Sequence, residues 1–358
     1  MSRESKKERL LILGSGFSKA VSDKMPVVRE LAQALQKQIE TDPGLTALKE
    51  PQYQHLLNDP EMLLTYLAQD QPWKQPWEAP KEWSLYLKIS KWLAEYIRAC
   101  ESRAFEGQID DWVKQQLPEW LEKTKTSVIT FNYDTVLERI YFLYLRKRGV
   151  GEPHAIIFNS YRMPLAPIQS RMAGVLSGGK EYMFHLIKLH GSTNWFYSGV
   201  GQFPGEQIYC RLVDSEFPYK DDISENSDFW GISPDELEIL LSDKVPFIIP
   251  PVAEKSRFYA NQTIRSLWGK AREYLAQAEE IYCVGYSLPD TDLTMKLLLQ
   301  TACAGKAKTV YIVNNDVKGK EDLVRRYRDA FPKEVAIKDD YIRADAVEAM
   351  IKDLCKEG

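Results

Sequence analysis

Residues 11–20 read LILGSGFSKA, and this stretch decides the class of fold. Its apolar residues lack polar alternation, which predicts a strand buried on both faces, as in a parallel sheet covered by helices. The strand ends in Gly14-Ser15-Gly16 on the way to a helix. Backbone N–H groups in such a turn can approach a phosphate, but an ordinary tight turn has the same pattern. Lys19 replaces the third glycine of a dinucleotide fingerprint, so the motif by itself leaves both readings open.

Four further apolar runs have the same form, since each is rich in Val, Ile and Leu and ends in small or polar residues. They are Val128–Phe131 before Asn132-Tyr133-Asp134, Leu186–Leu189 before His190-Gly191-Ser192, Ile281–Val284 before Gly285-Tyr286-Ser287, and Val310–Val313 before Asn314-Asn315-Asp316. In open α/β sheets, ligands bind outside the carboxyl ends of the strands. We therefore predict an α/β fold, a Rossmann-like parallel sheet with helices on both faces and one crevice at its carboxyl edge.

Helical periodicity lies between the predicted strands. One stripe is formed by Val28, Leu31, Leu35 and Ile39, and a last one by Val347, Met350, Ile351 and Leu354. Asp134 is placed to cap a helix that carries Leu137, Ile140, Tyr141 and Tyr144. We expect a single domain over 1–358, with smaller inserts at about 150–183 and 198–245.

A helical insertion is predicted at about 45–120, because residues 45–106 contain no glycine. Six of the nine tryptophans fall between Trp73 and Trp120. Burial in the core is the ordinary fate of such side chains, and a surface for a partner is the alternative.

Composition excludes several classes of protein. A formal net charge of −4 argues against a protein that coats nucleic acid, and no direct nucleic-acid binding is expected. No run of about 18 apolar residues occurs, and the apolar run near the start is too short for a signal peptide. The five cysteines are scattered without a C-x-x-C pair, so neither a disulfide framework nor a zinc ribbon is expected. These features predict a cytoplasmic protein without a membrane segment.

The chemistry-bearing candidates stand at the predicted strand ends. Asn132 offers a donor and an acceptor to a ribose hydroxyl or a water, and Asp134 can orient an amide, although a turn residue and a helix cap are the simpler readings. His190 can take a proton near neutral pH, whereas a lone histidine is often structural. Gly285 and Ser287 are placed to meet a phosphate or a ribose.

Two other groups of polar residues follow predicted strands. Asn314 and Asn315 are placed to meet the second ribose of a dinucleotide. Asp290 and Asp292 read better as helix caps than as a metal pair, because no histidine or cysteine partners stand nearby.

Together and in this order, the segments resemble the sirtuin-like family, and within it the bacterial branch related to anti-phage NAD-degrading proteins. The matching pieces are GSGFSKA with MPVVREL downstream, ITFNYDTVLE, IKLHGSTNW, PFIIPP, WGKAREYLAQAEEIYCVGYSLPDTD and VNND, which run from residue 10 to about 316. The resemblance implies NAD at the carboxyl ends of the strands, with Asn132, His190 and Asp134 as the catalytic residues. It places the NAD contacts at Gly14, Ser15, Gly16, Phe17, Ser18, Met25, Pro26, Gly285, Tyr286, Ser287, Asn314 and Asn315.

Two departures bear on the activity that the resemblance implies. Protein-deacylating sirtuins carry two C-x-x-C pairs, and this chain has none. They also carry Asp-Phe-Arg after the loop proline, whereas this chain has Val27-Val28-Arg29 after Pro26. Both favour the NAD-degrading branch, so we expect cleavage of NAD to nicotinamide and ADP-ribose, with no metal. An NAD-dependent deacylase, an ADP-ribosyltransferase, or a non-catalytic NAD or ADP-ribose sensor are the alternatives.

Regulation is also expected from the resemblance, because a freely running NAD hydrolase would kill its host. In the related proteins a sensor domain, a partner protein or a nucleotide signal gates the activity. The sheet motifs extend past residue 310 of 358, which leaves no room for a separate sensor domain. We therefore expect a homo-oligomer, a separate activator protein or a nucleotide signal to gate the chain, with 45–120 as the contact surface.

Overall fold

The computed structural model describes residues 7–57, 59–69, 71–151, 153–161, 165–167, 184–199, 206–211, 239–249 and 258–357. The strands, in chain order, are β1 (Arg9–Leu13), β2 (Ser127–Thr130), β3 (Ala166–Pro167), β4 (Leu186–Lys188), β5 (Gly191–Tyr197), β6 (Tyr209–Cys210), β7 (Val245–Ile248), β8 (Glu280–Val284), β9 (Thr309–Asn314) and β10 (Ala336–Ile342).

The helices run between these strands. They are α1 (Ser15–Val21), α2 (Val28–Thr41), α3 (Pro60–Ala68), α4 (Glu78–Phe105), α5 (Leu117–Thr124), α6 (Val136–Lys147), α7 (Pro153–Ser160), α8 (Gln262–Gln277), α9 (Leu293–Ala302), α10 (Lys320–Ala330) and α11 (Ala346–Glu357). Short 3₁₀ segments span Pro43–Lys49, Pro51–Tyr53 and Phe258–Ala260, and a π-helical turn spans Trp112–Gln116.

The larger sheet has six parallel strands in the order β10-β9-β8-β1-β2-β4. The predicted α/β, Rossmann-like class is confirmed, and each of the five predicted apolar runs is a strand of this sheet. Its centre is buried on both faces, since Leu10, Leu11, Ile12 and Leu13 are at most 2% exposed. Strand β10 was not predicted, because its AIKDDYI sequence alternates exposed and half-buried residues, as an edge strand does.

A second, four-stranded sheet in the order β3-β6-β5-β7 was also missed. The third apolar run was predicted to end at Leu189, but the chain turns at Leu189 and His190 and continues as β5, which is buried along its whole length. The described parts of 150–183 and 198–245 form α7, β3 and β6 rather than loops alone. Other residues of those two inserts lie outside the described residues, and the division into one domain with insertions stays a prediction.

Helices dominate the segment between β1 and β2, where the insertion was predicted. The tryptophans there divide between core and surface: Trp112 and Trp120 are buried, whereas Trp73 and Trp77 are 67% and 72% exposed. The stripe predicted at the end of the chain, on α11, is buried as expected. On α2, Leu35 and Ile39 are buried in the core, and Leu31 packs against it.

Candidate functional site

A cavity of about 210 Å³ opens at the carboxyl edge of the larger sheet. The turns that follow β1, β2, β4 and β8 converge there, as the positions of polar residues after each strand predict. The cavity is lined by Gly14, Ser15, Met25, Pro26, Val28, Leu31, Ile97, Phe131, Asn132, Tyr133, Asp134, His190, Gly285, Tyr286, Ser287, Pro289, Thr291 and Asp292.

Most of the residues predicted for the site line this one cavity. They are Asn132, Asp134, His190, Gly14, Ser15, Met25, Pro26, Gly285, Tyr286 and Ser287. The structure does not place the remaining predicted residues on its walls, namely Gly16, Phe17, Ser18, Asn314 and Asn315. The roles assigned to all of them stay predictions.

The protein orients the carboxamide of Asn132. Its Nδ2 donates to the carbonyl oxygen of Gly14 at 3.0 Å and to Oγ of Ser18 at 3.0 Å. Because a carbonyl can only accept, the nitrogen faces Gly14, and both amide hydrogens are engaged. Oδ1 is therefore the atom that Asn132 presents to a ligand, so the side chain can accept a hydrogen bond there but cannot donate one. The sequence had predicted that Asn132 offers both a donor and an acceptor to a ligand, and these bonds leave only the acceptor.

Ser18 links Asn132 to Asp134 from below the cavity. Its hydroxyl accepts from Asn132 and donates to Oδ2 of Asp134 at 2.8 Å, while the residue itself is buried. The other carboxylate oxygen of Asp134 accepts from the backbone N–H of Val136 at 3.1 Å, the first residue of α6. The predicted capping role is wrong in its position, because Thr135 is the N-cap of α6 and Asp134 precedes it. Burial raises the pKa of Asp134, and the charge of Lys188 opposes that rise.

The glycines of the first turn pack against the end of β8. A Cβ on Gly14 would lie 2.6 Å from the carbonyl oxygen of Gly285, and one on Gly285 would lie 2.2 Å from the backbone nitrogen of Phe17. Gly285 also has a φ of +61°, which favours glycine. The N–H groups of Gly14 and Gly16 donate to the carbonyls of Val284 and Gly285, both at 3.0 Å. Contact between two turns thus accounts for these glycines, and those two N–H groups are already bonded within the protein.

His190 lies in the turn between β4 and β5, with aromatic rings around its imidazole. The rings of Phe131 and Tyr133 lie 5.0 and 6.5 Å from it, and Phe131 stacks on Tyr286 at 4.6 Å. The Tyr286 hydroxyl donates to Oδ2 of Asp292 at 2.8 Å. These rings form an aromatic part of the cavity wall next to His190.

Several walls of the cavity were not predicted from the sequence. Val28 and Leu31, two residues of the predicted helical stripe, line it, and Val28 is 54% exposed. Ile97 reaches it from α4, in the predicted insertion. Phe131 and Tyr133 flank Asn132 and were visible in the sequence, whereas no local signal marks Ile97.

The second predicted ribose contact lies elsewhere. Oδ1 of Asn314 accepts from the backbone N–H of Asp316 at 2.9 Å, which stabilises the turn after β9, and Asn315 is exposed. Asp292 precedes the first residue of α9, as a helix cap would, but its carboxylate accepts from Tyr286 rather than from the helix. Asp290 pairs with Lys296 at 2.5 Å.

No group of three or more His, Cys, Asp or Glu side chains in the described ranges is arranged to hold a metal ion. No helix among them is both long and apolar enough to cross a bilayer.

No family model matches the sequence, and no curated protein is detectably similar to it. Among solved structures, a Sir2 homologue in complex with NAD is 13% identical, with 98% of this chain and 91% of that chain covered and a TM-score of 0.42. A structure on the basis of sirtuin substrate affinity is 14% identical, with 100% of each chain covered and a TM-score of 0.40. A Sir2 homologue variant in complex with ADP-ribose is 12% identical, with 99% and 96% covered and a TM-score of 0.39. Likeness at this level does not transfer an activity to this chain.

Proposed function

We propose that this protein is an NAD glycohydrolase, which cleaves the nicotinamide–ribose bond to give nicotinamide and ADP-ribose. One observation carries the proposal: Asn132 and His190, from distant parts of the chain, line the same cavity at the carboxyl edge of a parallel sheet. The ordered set of motifs that resembles the sirtuin-like family supports it.

The reaction breaks the bond between C1′ of the ribose and the ring nitrogen of nicotinamide, and the bonding electrons leave with the nitrogen. Positive charge develops on the ribose, a water oxygen bonds to C1′, and one water proton is released. An enzyme accelerates this step by holding the ribose, excluding bulk water and placing one water molecule. No other reactant is required.

Each residue of the site has a role that its bonding permits. Asn132 accepts at Oδ1 from a ribose hydroxyl or from the attacking water, because its amide hydrogens are already used. His190 takes the released proton or accepts a bond from a ribose hydroxyl. Ser15 and Ser287 offer hydroxyls at the wall that is formed by the glycine turns.

We further propose that the chain is the gated effector of an anti-phage, abortive-infection system. This gating would act in trans, by a homo-oligomer, a separate activator protein or a nucleotide signal, on the segment between β1 and β2. Trp73 and Trp77 offer exposed apolar surface on that segment, while Ile97 of α4 lines the cavity. We propose a cytoplasmic location for this effector.

The direct test is to incubate the purified chain with NAD, with and without candidate nucleotides or partners, and to follow nicotinamide by chromatography. Asn132→Ala and His190→Ala should each reduce turnover by at least about 100-fold. The matched control is His55→Ala, which replaces an exposed histidine and should keep full activity. Unchanged turnover in both site variants would remove these residues from the mechanism.

The same assay separates the alternatives. Release of nicotinamide only when an acylated lysine peptide is added would favour a deacylase, and label from NAD on an added protein would favour an ADP-ribosyltransferase. Binding of NAD by calorimetry without turnover under every condition would favour a sensor.

A further inference from the structure

The loop of residues 132–135 carries two of the proposed catalytic side chains, Asn132 and Asp134, between β2 and α6. A hydrolase needs such a loop fixed, because the direction of Oδ1 of Asn132 follows the position of its backbone. Two buried titratable side chains hold the far end of this loop, one from α4 and one from β4, and neither lines the cavity.

The first is Glu101, on the helix α4 of the segment between β1 and β2. The residue is fully buried. Its carboxyl contacts Thr135 twice: Oε1 lies 2.6 Å from the Thr135 hydroxyl, and Oε2 accepts from the Thr135 backbone N–H at 3.1 Å. A bidentate contact to a main-chain and a side-chain group fixes both the position and the rotation of the residue that follows Asp134.

The second is Lys188, at the end of β4 and 1% exposed. Its Nζ donates to the main-chain carbonyl of Asp134 at 2.5 Å and pairs with Oε1 of Glu138 at 3.0 Å. A buried lysine is costly unless it is paired and bonded, so its place directly behind a catalytic loop calls for a function.

We infer that Glu101 and Lys188 are positioning residues, which clamp the loop 132–135 from two sides and thereby aim Oδ1 of Asn132 into the cavity. The inference rests on the proposed function, because it concerns the same site. Since both residues act through the loop, their loss should reduce the rate of the chemical step more than the binding of NAD. A displacement of about 1 Å at a reacting group can reduce a rate by roughly 100-fold.

The test of Glu101 compares two substitutions. Glu101→Ala removes both contacts, whereas Glu101→Gln keeps them, since an amide oxygen can accept from the Thr135 N–H and an amide nitrogen can donate to its hydroxyl. We expect kcat to fall about 100-fold in the alanine variant with KM for NAD within about 3-fold, and the glutamine variant to keep most of the rate. Glu95→Ala, an exposed residue of the same helix, is the matched control.

The test of Lys188 uses a rescue. Lys188→Met leaves Glu138 without its ion-pair partner, and the double variant Lys188→Met/Glu138→Gln removes that uncompensated charge. We expect the double variant to regain thermal stability but not kcat, because the contact to the Asp134 carbonyl is still missing. Lys308→Met, which removes another buried lysine bonded to main-chain carbonyls before β9, should leave kcat unchanged.

Hydrogen–deuterium exchange of the peptide over residues 126–140 provides a readout without NAD. The Thr135 amide should exchange at least about 10-fold faster in Glu101→Ala than in the wild type or Glu95→Ala. Faster exchange with the predicted kinetic split supports the inference. Unchanged exchange, unchanged kcat in a folded alanine variant, or recovery of kcat in the Lys188→Met/Glu138→Gln variant would overturn it. If the wild type released no nicotinamide under any condition, the proposed hydrolase would fail, and the exchange result would still decide whether Glu101 clamps the loop.

Discussion

Replacing Glu101 by glutamine should change how the stability of the protein depends on pH. Burial, together with the neighbouring Asp134 and Glu138 carboxyls, raises the pKa of the Glu101 carboxyl from 4.5 to about 8, and the hydrogen bonds from Thr135 oppose that rise. Lys188 is the buried cation that pairs with Glu138 and bonds to the Asp134 carbonyl. The cluster therefore holds more buried carboxyls than buried cations, and Glu101 keeps a proton at neutral pH.

The sign of the effect follows from proton binding. Between pH 4.5 and about 8 the folded protein holds a proton on Glu101 that the unfolded chain has released. Folding stability contributed by this residue is therefore fully present below pH 4.5 and is lost as the pH rises towards 8. Each unit of pKa shift corresponds to about 1.4 kcal/mol, so Glu101 alone accounts for at most about 5 kcal/mol. We expect a measured change of roughly 2–4 kcal/mol, because the assay covers only the part of this shift that lies above pH 5.

The assay is urea unfolding of the wild type, Glu101→Gln and the control Glu95→Gln from pH 5 to 9. The free energy of unfolding of Glu101→Gln, relative to wild type, should rise across this range and level off above pH 8. The control should run parallel to the wild type, since Glu95 is exposed. A constant difference between Glu101→Gln and wild type at every pH would refute the buried, protonated state of Glu101.

Three further substitutions test the geometry of the site. Gly285→Ala should destabilise the protein by at least about 2 kcal/mol, because its φ is +61° and the new Cβ meets backbone at 2.2 Å. In urea unfolding, the loss of stability should be larger than that caused by Gly305→Ala, because Gly305 has a φ of +73° but open space around it. Asn132→Asp should reduce NAD turnover by at least about 100-fold and lower the melting temperature, since a carboxylate oxygen would face the Gly14 carbonyl from 3.0 Å. Ser18→Ala should reduce kcat by roughly 10-fold, because one of the two bonds that orient the amide is lost; a rate equal to wild type would contradict that role.

The larger sheet was predictable because its strands carry a local signal. Short runs of Val, Ile and Leu that end in glycine or polar residues are typical of strands buried on both faces, and all five such runs are in the sheet. Strand β10 lacks that signal, since it lies at the edge and half of its residues face solvent. The second sheet was missed because β5 follows β4 after only two residues, and its GSTNWFY sequence reads as a polar loop.

The cavity was predictable to the extent that it is built from strand ends. Asn132 and His190 are far apart in the sequence, but each follows a strand of the same parallel sheet. The order of the strands therefore predicted that both would lie at the same edge of the sheet, and both line the cavity. The clamp on the loop was not predictable, because Glu101 and Lys188 act on main-chain groups. A glutamate in mid-helix and a lysine in an apolar strand are ordinary in a sequence, and only their burial in the structure marks them. Likewise, the helical spacing of Val28 and Leu31 is equally consistent with a place in the core and with a place on the cavity wall, which both residues line.

One helix connects the surface of the protein to the proposed chemistry. Helix α4 begins at Glu78, beside the exposed Trp77, and carries Ile97 on the cavity wall and Glu101 on the catalytic loop. An α-helix transmits a displacement along its axis because its backbone hydrogen bonds resist stretching. A shift of α4 by a fraction of an ångström would therefore move Thr135 with it, and the loop that orients Asn132 would follow. The contact between Glu101 and Thr135 thus couples the position of α4 to the loop that carries Asn132.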